Sequence, residues 1–160
     1  MNEVDKWQAL RRSALGAELD EEESRILAQR MGGLQLGDGE TLVRQDELRR
    51  TLFVLIEGRI DVVTLAGHSE VTVYQMRGGE CAGTRAFVDG SARKAALRAV
   101  GKSTVLTLEP GDLEALLESH PRIVYKVMRA IFRTTHTNLT RVNLERAELR
   151  NYVTKTHGRY

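Results

Sequence analysis

The apolar and polar positions divide the chain into three parts, the first of which is helical. In "DEEESRILAQRM", Ile26, Leu27 and Met31 recur at helical spacing. Asp20 and Glu23 have the spacing of a capping box, in which two side chains pair reciprocally with two backbone N–H groups at a helix start. The pattern predicts an N-terminal helix.

Between Leu34 and Leu108, short apolar runs alternate with glycine-containing turns. The runs are "TLFVLIEGRIDVVTLAG", "VTVYQMRGG" and "TVLTLEPG", and they are rich in β-branched residues. Val54 and Ile56 are two residues apart, so we expect them to face the core together. Short antiparallel strands must close or stack to hide their edges, which predicts a sandwich or a barrel.

The helical period returns after Pro110. Three leucines share one face of a first short helix: Leu113, Leu116 and Leu117. A second helix is predicted to begin near Pro121 and to extend beyond Asn151. The sequence thus predicts an N-terminal helical segment over 1–33, a β core over 34–108, and C-terminal helices over 109–160, for which we expect a hinge and dimerisation role.

The long C-terminal helix carries a seam with steps of four and three residues. Its positions are Met128, Phe132, Thr135, Leu139, Val142, Arg146, Leu149 and Val153. Such spacing is typical of coiled coils and predicts a homodimer. Thr135 and Arg146 interrupt the apolar series, and packing of the helix on its own domain is the alternative.

Composition indicates a soluble globular chain. Of the 160 residues, 41% are hydrophobic and 29% are charged, and no apolar run approaches the roughly 20 residues that span a bilayer. We therefore expect a cytoplasmic protein without a membrane segment. A single cysteine, Cys81, excludes an internal disulfide and a cysteine-rich zinc cluster. We expect it to pack as a small buried hydrophobe, with a redox sensor as the alternative.

The net charge of +2 conceals a basic C-terminal end. Residues 122–160 contain nine lysines and arginines but only Glu145 and Glu148 as acidic residues. No aromatic stacking platform is interleaved with these cations, so a solvated helix face is favoured over a nucleic-acid surface or an acidic-partner surface.

Catalytic motifs are absent from the sequence. The "GKS" at Gly101–Ser103 lacks the first glycine of a phosphate loop, because Ala96 occupies that position; it is predicted to be a β-turn. The four histidines have no metal-ligand spacing. We therefore expect neither an enzyme nor a metal site.

The stretch "LGDGETLVRQDELRRTLFVLIEGRIDVV" resembles the opening of a cyclic nucleotide-binding domain. That family places a glycine–glutamate turn before a strand, and then an aromatic-aliphatic run that ends in a glycine at the start of the next strand. The matching positions are Gly39, Glu40, Asp46, Phe53, Ile56 and Gly58. The resemblance covers roughly residues 20–145.

The stretch "GECAGTRAFVDGSARKAALRA" falls where the family has its phosphate-binding cassette. Gly83 matches the cassette glycine, Thr84 its glutamate, Ala86 and Phe87 its apolar pair, Ala92 its proline and Arg93 its phosphate arginine. The resemblance implies a ligand site made of Gly83, Thr84, Arg85, Ala86, Ala92, Arg93 and Lys94. Arginine suits this role because it donates paired hydrogen bonds to phosphate oxygens.

The resemblance also implies how the site departs from the family. The family glutamate accepts a hydrogen bond from the ribose 2′-hydroxyl, whereas Thr84 is shorter and neutral. Arg85, at a usually aliphatic position, is expected to supply a second positive charge or to fill the pocket itself. Glu80 corresponds to an acidic turn residue outside the ribose site.

The implied fold is mainly β with flanking α-helices: an eight-stranded antiparallel β-roll, similar to a jelly roll, with N-terminal helices and two C-terminal helices. Two functions remain open. The first is a sensor that binds a cyclic nucleotide (cyclic AMP or cyclic GMP) or another small phosphate-bearing ligand and signals through its C-terminal helices. The second is an interaction and dimerisation module that kept the fold and lost the ligand. We expect no DNA-binding module within the chain.

Overall fold

The computed structural model describes the backbone of residues 2–157, and the side chains within that range except those of residues 3, 4, 142 and 154–157. The helices are α1 (Glu3–Arg12), α2 (Glu21–Arg30), α3 (Thr84–Asp89), α4 (Pro110–Glu114) and α5 (Pro121–His157). The strands are β1 (Gly32–Leu36), β2 (Thr41–Val43), β3 (Leu52–Ala66), β4 (Ser69–Met76), β5 (Cys81–Ala82) and β6 (Ala96–Leu108).

The predicted capping box is present at the start of α2. The Asp20 carboxylate accepts a hydrogen bond from the backbone N–H of Glu23 at 2.8 Å, and the Glu23 carboxylate accepts one from the N–H of Asp20 at 3.0 Å. Leu27, predicted to lie on the apolar face, is fully buried. The helix therefore begins where its sequence signal places it.

Within residues 2–157 the strands form an antiparallel β-roll of six strands rather than the expected eight. β6 lies between β1 and β3, β4 pairs with the other edge of β3, and β2 and β5 pair with β6 and β3. The two long strands shift register where Glu57 of β3 faces Thr104 of β6, so each runs in two halves. Counting these halves separately gives the eight strands of the resemblance, and Gly58 lies inside β3 at the bend rather than at the start of a new strand.

Gly101–Ser103 was predicted to be a β-turn, and this is wrong. The three residues lie within β6, where Gly101 has a φ of 69° beside the register shift. Ser103 is buried, and its hydroxyl donates to the Arg59 carbonyl at 3.0 Å across the bend. Glycine marks an irregular point inside a strand here, which its sequence signal does not distinguish from a turn.

Two apolar clusters form the core. One lies inside the roll around Phe53, Leu55 and Ile60, and the other lies between the sheet and the helices. Val54 is fully buried in the second cluster and Ile56 packs against the same cluster, as the spacing predicted. One core therefore lies inside the roll, and the other lies between the sheet and the helices that cover it.

Helix α5 has two different halves. Ile123, Val127 and Ile131 are buried against the domain, whereas the seam residues Phe132 and Leu139 are 72% and 58% exposed. Packing of the seam on its own domain is therefore wrong for these two positions. Val142 has its side chain outside the described residues, and dimerisation stays a prediction.

Part of the basic face of α5 is paired with acidic residues of the N-terminal segment. Lys126 forms an ion pair with Glu23 at 2.5 Å, and Glu18 lies 3.3 Å from Arg129 and 2.6 Å from Arg133. These contacts attach the N-terminal segment to α5. Among residues 2–157, no helix combines the length and apolar character needed to cross a membrane.

Candidate ligand pocket

A cavity of about 310 Å³ opens between the roll, α3 and α5. All seven residues of the predicted site line it: Gly83, Thr84, Arg85, Ala86, Ala92, Arg93 and Lys94. The cassette spacing therefore identified residues that the fold brings together. Ligand binding by them stays a prediction.

Gly83 brings the backbone against the guanidinium of Arg93. Its φ of 85° lies in the left-handed region, which glycine adopts without strain, and α3 begins at the next residue. A Cβ atom at this position would overlap Nη1 of Arg93. Only glycine lets the turn and the arginine lie this close together.

Arg93 is a buried cation held by neutral acceptors. Its exposed fraction is 5%, its Nε donates to the Arg49 carbonyl at 2.9 Å, and its Nη2 donates to the Thr51 carbonyl. Nη1 is buried without a hydrogen-bond partner. Burial, and secondarily the charge of Arg49, lowers the pKa of Arg93, although an arginine side chain remains protonated in proteins. The side chain thus keeps an unpaired donor group and a charge that is only partly neutralised.

The loop before β3 fixes Arg93 through its backbone as well. The Arg93 N–H donates to the Glu47 carbonyl at 3.0 Å, and the Asp46 N–H donates to the Arg93 carbonyl at 2.8 Å. Arg50, from the same loop, donates to the last carbonyls of α3, including that of Phe87 at 3.1 Å. One loop therefore orients both the arginine and the cassette helix.

Thr84 is buried beneath α5. Its exposed fraction is 7%, and its hydroxyl oxygen lies 2.9 Å from that of Thr135, within hydrogen-bond distance. Thr135, which interrupts the seam in the sequence, thus has a contact with the cassette. A longer side chain at position 84 would have to displace the Thr135 side chain.

Of the four remaining predicted residues, three are exposed and one is buried. Arg85 is 63% exposed, and its Nε lies 3.8 Å from Asp89, one helical turn further along α3. The interpretation that Arg85 fills the pocket is therefore wrong. Ala86 is buried, whereas Ala92 and Lys94 are exposed.

Several lining residues were missed by sequence reasoning. Tyr74 of β4 donates its hydroxyl to both carboxylate oxygens of Glu80, at 2.9 and 2.8 Å, and the guanidinium of Arg141 lies 3.7 Å from the centre of the Tyr74 ring. Burial, and secondarily the Glu80 contact, raises the pKa of Tyr74. Asn138 and Glu145 of α5 also line the cavity. Glu80, which the resemblance placed outside the ribose site, lies in the wall of this pocket.

An apolar wall completes the cavity, with Val62, Val73, Met76, Ala82 and Leu97 as members. These residues come from β3, β4, β5 and β6. The pocket therefore combines one apolar wall with a cationic side, an arrangement common in small-molecule sites.

Cys81 lines the pocket as an unreactive thiol. It is 8% exposed, and burial raises its pKa to about 12. The thiolate, which is the reactive form, is therefore negligible near neutral pH. Among residues 2–157, no three histidine, cysteine, aspartate or glutamate side chains are grouped as a metal site requires.

Comparison with family models gives a match to the cyclic nucleotide-binding domain over residues 34–120. Among curated proteins, a lysophospholipase of Mycosarcoma maydis is 25% identical over 115 residues, which cover 72% of this chain and 6% of that protein. A Rhodopseudomonas palustris protein with a provisional potassium channel name is 26% identical over 146 residues, covering 91% of this chain and 34% of that protein. The chain thus spans about a third or less of the length of these two curated relatives.

Solved structures share the fold. A cyclic nucleotide-binding domain from Methylobacillus flagellatus has a TM-score of 0.76 at 18% identity, covering 87% of this chain and 79% of that chain. The N-terminal domain of a transcriptional regulator from Streptomyces coelicolor has a TM-score of 0.72 at 27% identity, covering 84% and 94%. The catabolite activator protein of Thermus thermophilus has a TM-score of 0.74 at 24% identity, covering 86% and 63%.

Proposed function

Because this chain belongs to the cyclic nucleotide-binding domain family, we propose that it is a regulatory sensor rather than an enzyme, and that its pocket binds a small phosphate-bearing ligand. A cyclic nucleotide, cyclic AMP or cyclic GMP, is the first candidate. The observation that carries the proposal is Nη1 of Arg93, a buried donor without a partner beside the Gly83 turn.

The electrostatics of Arg93 favour an anion. Among the described residues, no carboxylate lies within ion-pair distance of its guanidinium, and the two carbonyls that hold it carry no formal charge. A buried polar group without a partner is costly, and a phosphate oxygen would supply both the missing acceptor and the missing negative charge. The charge of Arg49 adds to the positive potential at this point.

The cavity suits a ligand that has a phosphate and an organic part. Its volume of about 310 Å³ lies at the lower end of the range for small-molecule sites. The apolar wall lies beside the cationic side, so a planar or aliphatic group would pack there while the phosphate meets Arg93. A free inorganic anion would leave this wall unused.

Contacts between α5 and the pocket suggest how occupancy would be transmitted. Thr135 contacts Thr84 of the cassette, and Arg141 stacks on Tyr74 of β4. A ligand that changes the position of α3 or Tyr74 would therefore change contacts of α5. In this proposal the C-terminal helices report whether the pocket is occupied.

Calorimetric titration tests the proposal. Cyclic AMP, cyclic GMP and a cyclic dinucleotide would each be added to the full chain and to the Arg93→Ala variant, with Arg98→Ala as the control. Arg98 pairs with Glu70 on the sheet surface, so its loss removes an arginine without touching the pocket. We expect at least one ligand to bind, and Arg93→Ala to weaken it by about tenfold or more. No heat with any ligand would contradict the sensor.

The second candidate function is an interaction module that has lost its ligand. The exposed apolar residues of α5, Phe132 and Leu139 among them, favour it, as does neutral Thr84 in place of the family glutamate. In this alternative the chain dimerises or binds a partner through α5 whatever the state of the pocket. It predicts no ligand heat and an association that Arg93→Ala does not alter.

A further inference from the structure

Thr51 connects the pocket arginine to the start of α4. It is 1% exposed, and it immediately precedes β3. Its backbone carbonyl accepts from Nη2 of Arg93, while its side-chain hydroxyl contacts two other charged residues. A single buried residue therefore joins the ligand-facing cation to a second network.

The direction of the hydrogen bonds in that network is fixed by chemistry. Nε of Arg49 lies 3.1 Å from the Thr51 hydroxyl oxygen, and an arginine only donates, so the hydroxyl accepts there. Its one hydrogen is then given to Oε1 of Glu109, at 2.5 Å. A hydroxyl that accepts from a cation and donates to a carboxylate is held firmly in both roles.

Glu109 supplies negative charge that Arg93 does not contact directly. The carboxylates of Glu47 and Glu109 raise the pKa of Arg93, opposing the larger effect of burial and that of Arg49. Glu109 is also the residue that precedes α4. Its carboxylate therefore balances part of the charge of two neighbouring arginines while leaving Nη1 of Arg93 without a hydrogen-bond partner.

We propose that Thr51 and Glu109 are positioning residues for Arg93. Glu109 fixes the Thr51 hydroxyl, Thr51 holds Nη2 of Arg93 with its carbonyl, and Nη1 is thereby aimed at the ligand phosphate. This inference rests on the proposed function, because it requires that the pocket bind a phosphate-bearing ligand.

The first test compares Thr51→Val with Thr51→Ser by calorimetric titration of the full chain with cyclic AMP. Valine keeps the shape and the carbonyl but loses the hydroxyl, and serine keeps the hydroxyl. We expect Thr51→Val to weaken cyclic AMP about tenfold and Thr51→Ser to bind within about twofold of the unmodified chain. Thr104→Val, on β6 away from the pocket, is the matched control and should leave affinity unchanged.

Thermal unfolding of the same variants separates positioning from general stabilisation. A merely structural role would lower the unfolding midpoint of Thr51→Val but leave the affinity of the folded protein intact. Equal affinity of Thr51→Val and the unmodified chain overturns this inference while the proposed function stands. No binding of cyclic AMP, cyclic GMP or a cyclic dinucleotide by the unmodified chain overturns both.

A double-mutant cycle tests whether Glu109 acts through Thr51. If it does, Thr51→Val combined with Glu109→Ala loses no more affinity than the worse single variant. Likewise, Thr51→Val should cost nothing further in an Arg93→Ala background. Losses that add in either pair would show that these residues act separately, and would overturn the positioning role.

Discussion

At the scale of single residues, the pocket depends on a charge that the protein leaves incompletely neutralised. Arg93 gives two of its donor groups to carbonyl oxygens of the preceding loop and presents Nη1 to the Gly83 turn. Glycine at 83 is what permits this approach, since any Cβ would occupy the position of Nη1. The site therefore depends on the missing side chain of Gly83 and on the buried guanidinium of Arg93.

Replacing Gly83 by alanine should reduce both stability and binding. Alanine at a positive φ costs about 1–2 kcal/mol, and the Cβ would also force Arg93 from its position. Gly67→Ala is the matched control, because Gly67 has a φ of 68° with open space around it. Chemical denaturation should show a larger loss for Gly83→Ala, and equal losses for the two variants would contradict the contact with Arg93.

Placing at position 84 the carboxylate that the family has there should strengthen binding of a ribose ligand. A hydrogen bond to a charged acceptor is worth about 1.5–3 kcal/mol, or about tenfold or more in affinity. Because Thr135 lies 2.9 Å from Thr84, we expect Thr84→Glu to need Thr135→Ala for its full effect. Titration with cyclic AMP checks this, with Thr135→Ala alone as the control. Unchanged affinity in the double variant would contradict it.

Cys81 should contribute to stability in a way that depends on pH. Its folded pKa of about 12 lies above the ordinary value of 9.0, so its contribution is complete below pH 9. As the pH rises from 9 toward 12, the unfolded thiol ionises first and this stability is lost, by about 1.4 kcal/mol per pH unit within that window. Denaturation between pH 8 and 10.5 should show a smaller loss in Cys81→Ala than in the unmodified chain. If the free energy of unfolding fell equally with pH in the two proteins, the result would contradict burial of the thiol.

At the scale of elements, α5 joins a buried half to an exposed half. Ile123 and Val127 fill the core between sheet and helices, whereas Phe132 and Leu139 lie outside it. The sequence predicted one long helix and its seam, because the period of the apolar residues continues through both halves. It did not predict which half packs on the domain, because that depends on contacts with α2, α3 and the rest of the core.

Alanine substitutions along α5 should reveal this division. Ile123→Ala removes a fully buried side chain and should cost about 2–5 kcal/mol. Phe132→Ala should change the stability of a monomer by no more than about 0.5 kcal/mol. Denaturation at two protein concentrations provides the measurement. A cost for Phe132→Ala that appears only at the higher concentration would place the side chain in the predicted dimer interface, whereas a large cost at both concentrations would contradict its exposure.

At the scale of the whole molecule, the resemblance predicted the fold and seven of the residues that line one pocket, because the cassette is a continuous stretch of chain. The resemblance did not predict Tyr74 and Arg141, since these residues come into contact only when β4 and α5 pack together. The hydrogen bonds from Arg93 to the carbonyls of Arg49 and Thr51 were not predicted either, because every residue has a backbone carbonyl and the sequence does not show which one is used.

Dimerisation through α5 is a prediction about the whole assembly. Placing aspartate at both Phe132 and Leu139 would bury unpaired charges in a seam, which is strongly unfavourable. We expect light scattering to show a dimer for the unmodified chain and a monomer for this double variant. Leu48→Asp, at a residue that is 73% exposed outside α5, is the control and should leave the dimer intact. A monomeric unmodified chain at high concentration would contradict the prediction.

The central claim, that the pocket at Gly83 and Arg93 holds a ligand phosphate, is tested most directly by NMR. The amide spectrum of the full chain would be recorded as cyclic AMP is added, together with the side-chain Nε–H signal of Arg93. The account predicts that the signals of Gly83, Thr84 and Arg93 shift together in a saturable way, with smaller changes at Tyr74 and Arg141. A spectrum that stays unchanged, or saturable shifts confined to residues away from this pocket, would contradict it.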